Sequence, residues 1–104
     1  ATQTIASPSK FPQVRRDIAL LVDAEIPHQQ LSQTIRNAGG ELLQQHWLFD
    51  VYQGEHTPEG MRSVAFALIW QDIAQTLSDE AVNESMQRVI TALESEHGAQ
   101  LRDS

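Results

Sequence analysis

Asp50 and Tyr52 are the residues of this chain whose types and spacing point most directly to binding chemistry. They stand two positions apart in the segment Trp47–Trp70, and residues at i and i+2 of a β-strand project from the same face. An exposed aromatic ring can stack on a nucleobase, and a carboxylate can accept hydrogen bonds from amino or imino hydrogens. Together they indicate a surface that could bind a flat, hydrogen-bonding ligand.

The segment that contains this pair predicts a hairpin of two strands joined by a loop with glycines and a proline at 54–60. In the later strand, a large set (Val64, Phe66, Leu68 and Trp70) alternates with a smaller set (Ser63, Ala65, Ala67 and Ile69). In the earlier strand, strict alternation places Trp47, Phe49 and Val51 with the large set, and Leu48, Asp50 and Tyr52 opposite. We therefore expect one face to form the core and the other to be an open floor of small side chains.

Phe49 and Tyr52 receive different interpretations from this alternation. Phe49 is expected in the core, where losing such a ring costs ~3–5 kcal/mol, so Phe49→Ala is predicted to impair folding rather than recognition. Tyr52 could pack over an aliphatic neighbour as an ordinary strand residue, or it could present its ring as a stacking platform. The small side chains around it favour the platform, because they leave room for a flat guest.

The rest of the chain predicts two more strands and two helices. Residues 15–23 form a first strand, in which Ala19 lies on the open floor. A helix at 27–40 begins with proline and ends with two glycines. Residues 76–98 form a second helix with a hydroxyl cap and acidic residues in its first turn. Residues 99–103 are long enough for a short last strand.

The predicted element order is β-α-β-β-α-β. Two apolar helix faces must be covered, and the sheet has one large-residue face to cover them. We therefore predict an α+β fold, a ferredoxin-like βαββαβ sandwich whose four-stranded antiparallel sheet carries both helices on one face. The small, polar residues 1–9 are predicted to be a linker, and residues 10–104 to form the domain.

Composition excludes several kinds of site. The chain has 104 residues and no cysteine, so it has neither disulfides nor thiolate metal sites. Its four histidines lack the i, i+3 or i+4 pairing of metal ligands, and we expect no metal site. No phosphate-binding glycine loop or nucleophile motif occurs, so we expect no catalytic residue in this chain. No apolar run approaches the ~20 residues of a membrane span, and we expect a cytoplasmic protein without membrane association.

Six short motifs occur in order along the chain. They are Phe11-Pro12, Arg15-Arg16-Asp17, Leu48-Phe49-Asp50-Val51-Tyr52-Gln53-Gly54, Pro58-Glu59-Gly60, Arg62-Ser63-Val64-Ala65-Phe66 and Thr76-Leu77-Ser78-Asp79-Glu80. This ordered set resembles the ferredoxin-fold anticodon-binding domain that ends the β subunit of bacterial phenylalanyl-tRNA synthetases. The resemblance covers about residues 10–103, and the order of the motifs, rather than any single one, carries it.

The resemblance implies a non-catalytic domain that binds the anticodon stem-loop of phenylalanine tRNA and positions this tRNA for aminoacylation. It implies that Tyr52 stacks on the first anticodon base and that Asp50 helps to recognise that base. Ala19 and Ser63 would line the same site. The parent enzyme would be an ATP-dependent phenylalanine–tRNA ligase that uses magnesium, with its catalytic site in the α subunit. The implied partners are that subunit and the rest of the β subunit, in an assembly of two α and two β subunits.

Positive charge near the expected site is sparse. Arg15, Arg16 and Arg62 are the candidate phosphate contacts, whereas Gln53 and Met61 stand where the family commonly has basic residues. The formal net charge of −7 opposes non-specific RNA binding, so we expect any RNA contact to be local. An alternative from another class stays open, namely a ferredoxin-like regulatory domain that binds a small metabolite or a protein partner.

Overall fold

The computed structural model describes residues 11–102, which contain four strands and two helices in the order β-α-β-β-α-β. The strands are β1 (Val14–Asp23), β2 (Leu43–Tyr52), β3 (Met61–Trp70) and β4 (Gln100–Arg102), and the helices are α1 (His28–Gly39) and α2 (Asp79–His97). All four strands pair antiparallel in one sheet of order β2-β3-β1-β4. The predicted ferredoxin-like α+β fold is confirmed. The predicted linker at residues 1–9 lies outside the described residues.

Local chemistry sets the ends of α2. The hydroxyl of Ser78 accepts a hydrogen bond from the backbone N–H of Ala81 (3.1 Å), which satisfies one of the free donors at the helix start. The helix ends at Gly98, whose φ of +66° places it in the left-handed region that glycine adopts without steric cost. Its N–H donates to the carbonyl of Glu94 (3.0 Å). The hydroxyl cap and the closing glycine agree with the sequence-based prediction, although the helix begins at Asp79 rather than at residue 76.

Both helices pack on the large-residue face of the sheet and enclose the core. The buried members of this core are Ile18, Leu20, Val22, Leu31, Ile35, Val64, Phe66, Leu68, Trp70, Val82, Val89, Leu93 and Ala99. Within it, the indole Nε1 of Trp70 donates to the Ser85 hydroxyl (2.7 Å), which donates to the carbonyl of Gly39 (2.7 Å). Because unpaired buried polar groups are costly, this chain of hydrogen bonds fixes β3, α2 and the end of α1 relative to one another.

Two β-bulges in β2 change which of its residues share a face. The pairing of β2 with β3 shifts register between Leu43 and Gln45 and again between Leu48 and Asp50. Each bulge inserts one unpaired residue, so the alternation of side chains restarts after it. The face of each paired β2 residue is therefore given by its partner on β3, not by counting along β2.

Trp47 and Phe49 are consequently not core residues, and the prediction that placed them there is wrong. Trp47 pairs with Ala67 on the face away from the helices, and it is 39% exposed. Phe49 is the unpaired residue of the second bulge, is 48% exposed, and lies near Arg15 on that same face. Val51 pairs with Val64 on the helix-covered side but stays exposed, because β2 is an edge strand.

His46 lies on the helix-covered side of β2, opposite Leu68, and borders a cleft with Arg36 of α1. Burial disfavours the charged imidazolium and lowers the pKa of His46, and repulsion from the Arg36 guanidinium lowers it further. Its Nδ1 is buried and has no hydrogen-bond partner among residues 11–102. The folded state therefore favours the neutral imidazole.

Phe66 and Phe49 provide a matched pair for testing the assignment of faces. Phe66→Ala should lower the free energy of unfolding by ~3–5 kcal/mol, because Phe66 is fully buried in the core. Phe49→Ala should lower it by about 1 kcal/mol or less, since the ring is half exposed and lies outside the core, near Arg15. Urea denaturation of both variants measures the difference. A loss for Phe49→Ala as large as that for Phe66→Ala would contradict the register of β2.

The lowered pKa of His46 predicts a loss of stability in mild acid. In the unfolded chain His46 gains a proton near its ordinary pKa of 6.5, whereas the folded chain resists protonation until lower pH. Its contribution is thus fully present above that value and is lost as the pH falls through the folded pKa. The difference in unfolding free energy between about pH 7.5 and about pH 5 should be smaller in His46→Gln than in wild type. Equal differences would show that His46 is not responsible.

Candidate functional site

The face of the sheet away from the helices, called the open face from here on, carries all four predicted anticodon-site residues. Cross-strand pairing aligns its side chains in rows, because directly opposed residues project from the same face. One row is Tyr52, Ser63, Leu21 and Gln100, and the adjacent row is Asp50, Ala65, Ala19 and Arg102. The structure therefore brings Ala19, Asp50, Tyr52 and Ser63 together in two neighbouring rows.

A small-residue floor, formed by Ser63, Ala65 and Ala19, occupies the centre of these rows. Asp50 lies at one edge of the floor and Arg102 at the other, in the same row. Three strand spacings separate them, or about 14 Å between backbones. A planar group resting on the floor would thus have a carboxylate acceptor on one side and a guanidinium donor on the other.

The sequence analysis does not identify Arg102 as a residue of the open face. Alternation in the last strand could have indicated it, because apolar Leu101 pairs with Leu20 on the helix-covered side. Its neighbour Arg102 then projects from the opposite side, beside Ala19. A three-residue strand at the end of a chain gives this pattern too little length to be seen without the pairing.

Gly54, two residues after Tyr52, leaves space for the tyrosine ring. A Cβ added at Gly54 would lie 2.6 Å from the Tyr52 hydroxyl oxygen and 2.9 Å from its Cζ, so the ring occupies space that any other residue would fill. The Thr57 hydroxyl accepts from the Gly54 N–H (3.1 Å) and donates to the Gly54 carbonyl (3.0 Å), which holds the loop in place. The ring therefore lies at the end of the floor nearest the β2–β3 loop, and Tyr52 is 41% exposed.

The three predicted phosphate contacts do not share a face. Arg15 pairs with Ile69 on the open face. Arg16 is on the helix-covered side, where its Nη1 donates to Asn83 (3.1 Å). Arg62 is on that side too, and its Nη2 donates to the carbonyl of Ile26 (2.9 Å). Among the arginines of residues 11–102, only Arg15 and Arg102 project from the open face.

Beyond the floor, the open face carries a cluster of Trp47, Phe49 and Arg15, called the Trp47 cluster below. The guanidinium carbon of Arg15 lies 5.4 Å from the Trp47 ring centroid and 5.8 Å from the Phe49 ring centroid. Its Nε donates to a carboxylate oxygen of Asp17 (3.0 Å). No glycine or proline marks the bulge that produces this cluster, so alternation alone could not have revealed it.

The chemistry available on this face is stacking and hydrogen bonding. Aromatic rings offer planar surfaces, Asp50 offers an acceptor, and the two arginines offer donors. No group of three or more histidines, aspartates or glutamates in the described part of the chain could hold a metal ion. No helix within residues 11–102 has the length and hydrophobicity needed to cross a membrane.

Comparisons with known proteins show which family the chain is similar to. Residues 9–102 match the ferredoxin-fold anticodon binding domain. The β subunit of a phenylalanine–tRNA ligase from Psychrobacter arcticus is 65% identical over 100 residues, which cover 96% of this chain. The corresponding subunits of Acinetobacter baylyi and Bacillus subtilis are 48% and 46% identical over 92% and 89% of it.

The match covers a small part of each relative, because the chain spans about 12% of the length of these three β subunits. In this chain, the family match extends over residues 9–102 and includes every strand and helix of the structure. The predicted resemblance is therefore confirmed: the chain belongs to the ferredoxin-fold anticodon binding domain family.

Proposed function

We propose that this chain is the anticodon-binding domain of a phenylalanine–tRNA ligase β subunit and that its open face binds the anticodon stem-loop of phenylalanine tRNA. The observation that carries the proposal is the adjacency of Tyr52 and Asp50 beside the small-residue floor. The family and the names of the relatives support the same ligand.

In this proposal Tyr52 stacks on the first anticodon base. The ring is exposed, and the contact with Gly54 fixes its position beside Ser63. Ser63, Ala65 and Ala19 leave the space above the floor open for the base. Stacking of this kind contributes ~1–3 kcal/mol per base and depends little on which base is present.

Asp50 supplies the sequence preference. Its exposed carboxylate lies in the row next to that of Tyr52, at the edge of the floor. An ionised carboxylate only accepts hydrogen bonds, so it favours a base edge with amino or imino hydrogens. Guanine at the first anticodon position presents such hydrogens on its Watson–Crick edge. Ala19 and Ser63 would border the same base, and the Ser63 hydroxyl could also hydrogen-bond to its edge.

Phosphate contacts are few in this arrangement. Arg15 and Arg102 project from the open face, whereas Arg16 and Arg62 could contact the RNA backbone only where it passes the edge of the sheet. The net charge of −7 further limits electrostatic attraction. Stacking and hydrogen bonding would therefore provide most of the affinity of this domain.

In the parent enzyme the domain would hold the anticodon while phenylalanine is joined to the other end of the tRNA. That reaction would use ATP and magnesium in the α subunit, and this chain would contribute no catalytic group. The remainder of the β subunit and the α subunit would be its protein partners, in an assembly of two α and two β subunits in the cytoplasm.

Tyr52→Ala tests the proposed stacking, with Val51→Ala as a matched control. Tyr52→Ala should weaken binding of the phenylalanine anticodon stem-loop by ~1–3 kcal/mol whichever first base is present. Val51 lies between Asp50 and Tyr52 in sequence but projects to the other side, so its variant should bind like wild type. Calorimetric titration of the stem-loop gives both affinities. Wild-type affinity for Tyr52→Ala would exclude stacking on this ring, and wild-type affinity for Asp50→Asn as well would favour the metabolite or protein-partner alternative.

Asp50→Asn tests the proposed recognition of the base edge. The amide presents a donor as well as an acceptor, so the variant should lose discrimination at one anticodon position while retaining most of its affinity. Titration with stem-loops that carry each of the four bases at the first anticodon position measures this preference. A preference for guanine unchanged by Asp50→Asn would show that another group recognises the base. The melting temperature should stay near that of wild type, because Asp50 is exposed.

A further inference from the structure

We propose that the Trp47 cluster is a second base-binding platform on the open face, which takes another nucleotide of the same single-stranded loop. This inference rests on the proposed function, because it extends the RNA beyond the base held by Tyr52 and Asp50. The platform consists of Trp47, Phe49 and the guanidinium of Arg15. Neither ring belongs to the predicted anticodon site, and Arg15 is predicted there only as a phosphate contact.

The exposure of the two rings exceeds what a supporting role requires. Trp47 and Arg15 pair with Ala67 and Ile69 on the open face, and both of those β3 residues are buried. Covering a neighbour in this way requires only the inner surface of a side chain. Phe49 has no partner on β3, because it is the unpaired residue of the bulge. The structure therefore presents two large aromatic rings to solvent on the same face as Tyr52.

Arg15 adds a cationic, planar surface to these rings. Its side chain is 51% exposed, and the Asp17 carboxylate fixes its Nε. None of the described residues accepts a hydrogen bond from its two terminal nitrogens. A guanidinium plane can stack on a base, and its free N–H groups can donate to a phosphate or a base edge. The cluster thus combines the two contacts by which proteins bind unstacked single-stranded RNA.

The spacing of the two platforms suits one RNA strand. Tyr52 pairs with Ser63 and Trp47 pairs with Ala67, four positions further along β3. At about 3.3 Å per residue, the platforms are roughly 13 Å apart. Stacked bases are separated by about 3.4 Å, so this distance corresponds to about four stacked steps, and to fewer if the strand is extended. A loop held by Tyr52 can therefore reach the Trp47 cluster without leaving the open face.

Charge favours single-stranded RNA that binds through its bases over RNA held mainly by its phosphates. The chain has a net charge of −7, and Asp17 partly neutralises Arg15. A site that depended on phosphate contacts would need more cations than Arg15 and Arg102 provide. Stacking does not depend on net charge, so additional aromatic surface is the means of binding that an acidic domain can use.

Tryptophan fluorescence of the full 104-residue chain gives a direct test. The chain has two tryptophans, and only Trp47 is exposed, because Trp70 is fully buried. Titration with the phenylalanine anticodon stem-loop should quench the emission of Trp47 as a base stacks on it. Binding without a change in fluorescence would overturn the platform.

Affinities of matched variants provide the second readout. Trp47→Ala should raise the Kd by about fivefold to hundredfold, and Trp47→Phe should raise it less, because the smaller ring still stacks. Ile73→Ala removes an exposed apolar side chain from a loop elsewhere and should bind like wild type. If Trp47→Ala melts well below wild type, Phe49→Ala replaces it, since the bulge residue has no partner on β3 to support.

Stem-loops with a single abasic nucleotide identify the base involved. The affinity of Trp47→Ala should no longer fall when the base is removed at one loop position. The affinity of Tyr52→Ala should no longer fall when the base is removed at a different position. If Tyr52→Ala weakens binding and Trp47→Ala binds as tightly as Ile73→Ala, the second platform is wrong and the proposed function stands. If both variants become insensitive at the same position, one base contacts both rings and the second platform is again wrong. A wild-type chain that binds no stem-loop overturns both proposals.

Discussion

Side-chain size alternates along β3, with large residues on one side of the strand and mostly small residues on the other. β3 lies between β2 and β1, so its two faces set the character of the whole sheet. Val64, Phe66 and Trp70 require a hydrophobic cover, which the two helices provide. Ser63 and Ala65 are too small to fill the opposite face, and that face remains flat. One strand thus determines both where the core forms and where a ligand could lie.

The bulge at Phe49 determines which residues of β2 join that flat face. Trp47 and Tyr52 are five positions apart, and in a regular strand they would project in opposite directions. Because Phe49 is unpaired, Trp47 and Tyr52 project from the same side of the sheet, with Asp50 between them. Without the bulge, the face would carry either Trp47 or the pair of Asp50 and Tyr52, but not both. The aromatic surface of this domain is therefore a product of irregular pairing.

Local patterns are sufficient to predict the fold and the face on which Asp50 and Tyr52 lie. Helix ends at Ser78 and Gly98 follow from capping chemistry, and the faces of β3 follow from strict alternation. Alternation also gives the correct face for Asp50 and Tyr52, because pairing is regular from Asp50 to Tyr52, after the bulge. The positions of Trp47 and Phe49 could not be predicted, because a bulge depends on the partner strand rather than on residues nearby in sequence.

Long-range contacts also explain what the sequence could not reveal about the arginines. Arg16 donates to Asn83, 67 positions away, and Arg62 donates to Ile26, 36 positions away. Both partners lie outside the sheet, and the residues next to Arg16 and Arg62 in sequence do not indicate these contacts. Arg102 joins the floor only through its pairing with Ala19. The fold therefore shows which arginines supply the sparse positive charge of the open face.

The proposed function requires the open face, rather than the helix-covered side, to bind RNA through its rings and its small-residue floor. Chemical-shift mapping of the domain with the phenylalanine anticodon stem-loop distinguishes the two surfaces. The backbone amides of Ala19, Asp50 and Ser63 and the indole N–H of Trp47 should shift on binding. The indole N–H of Trp70, which donates to Ser85 inside the core, should not shift. Shifts confined to α1 and α2, with the Trp47 indole and the floor unchanged, would contradict binding at the open face.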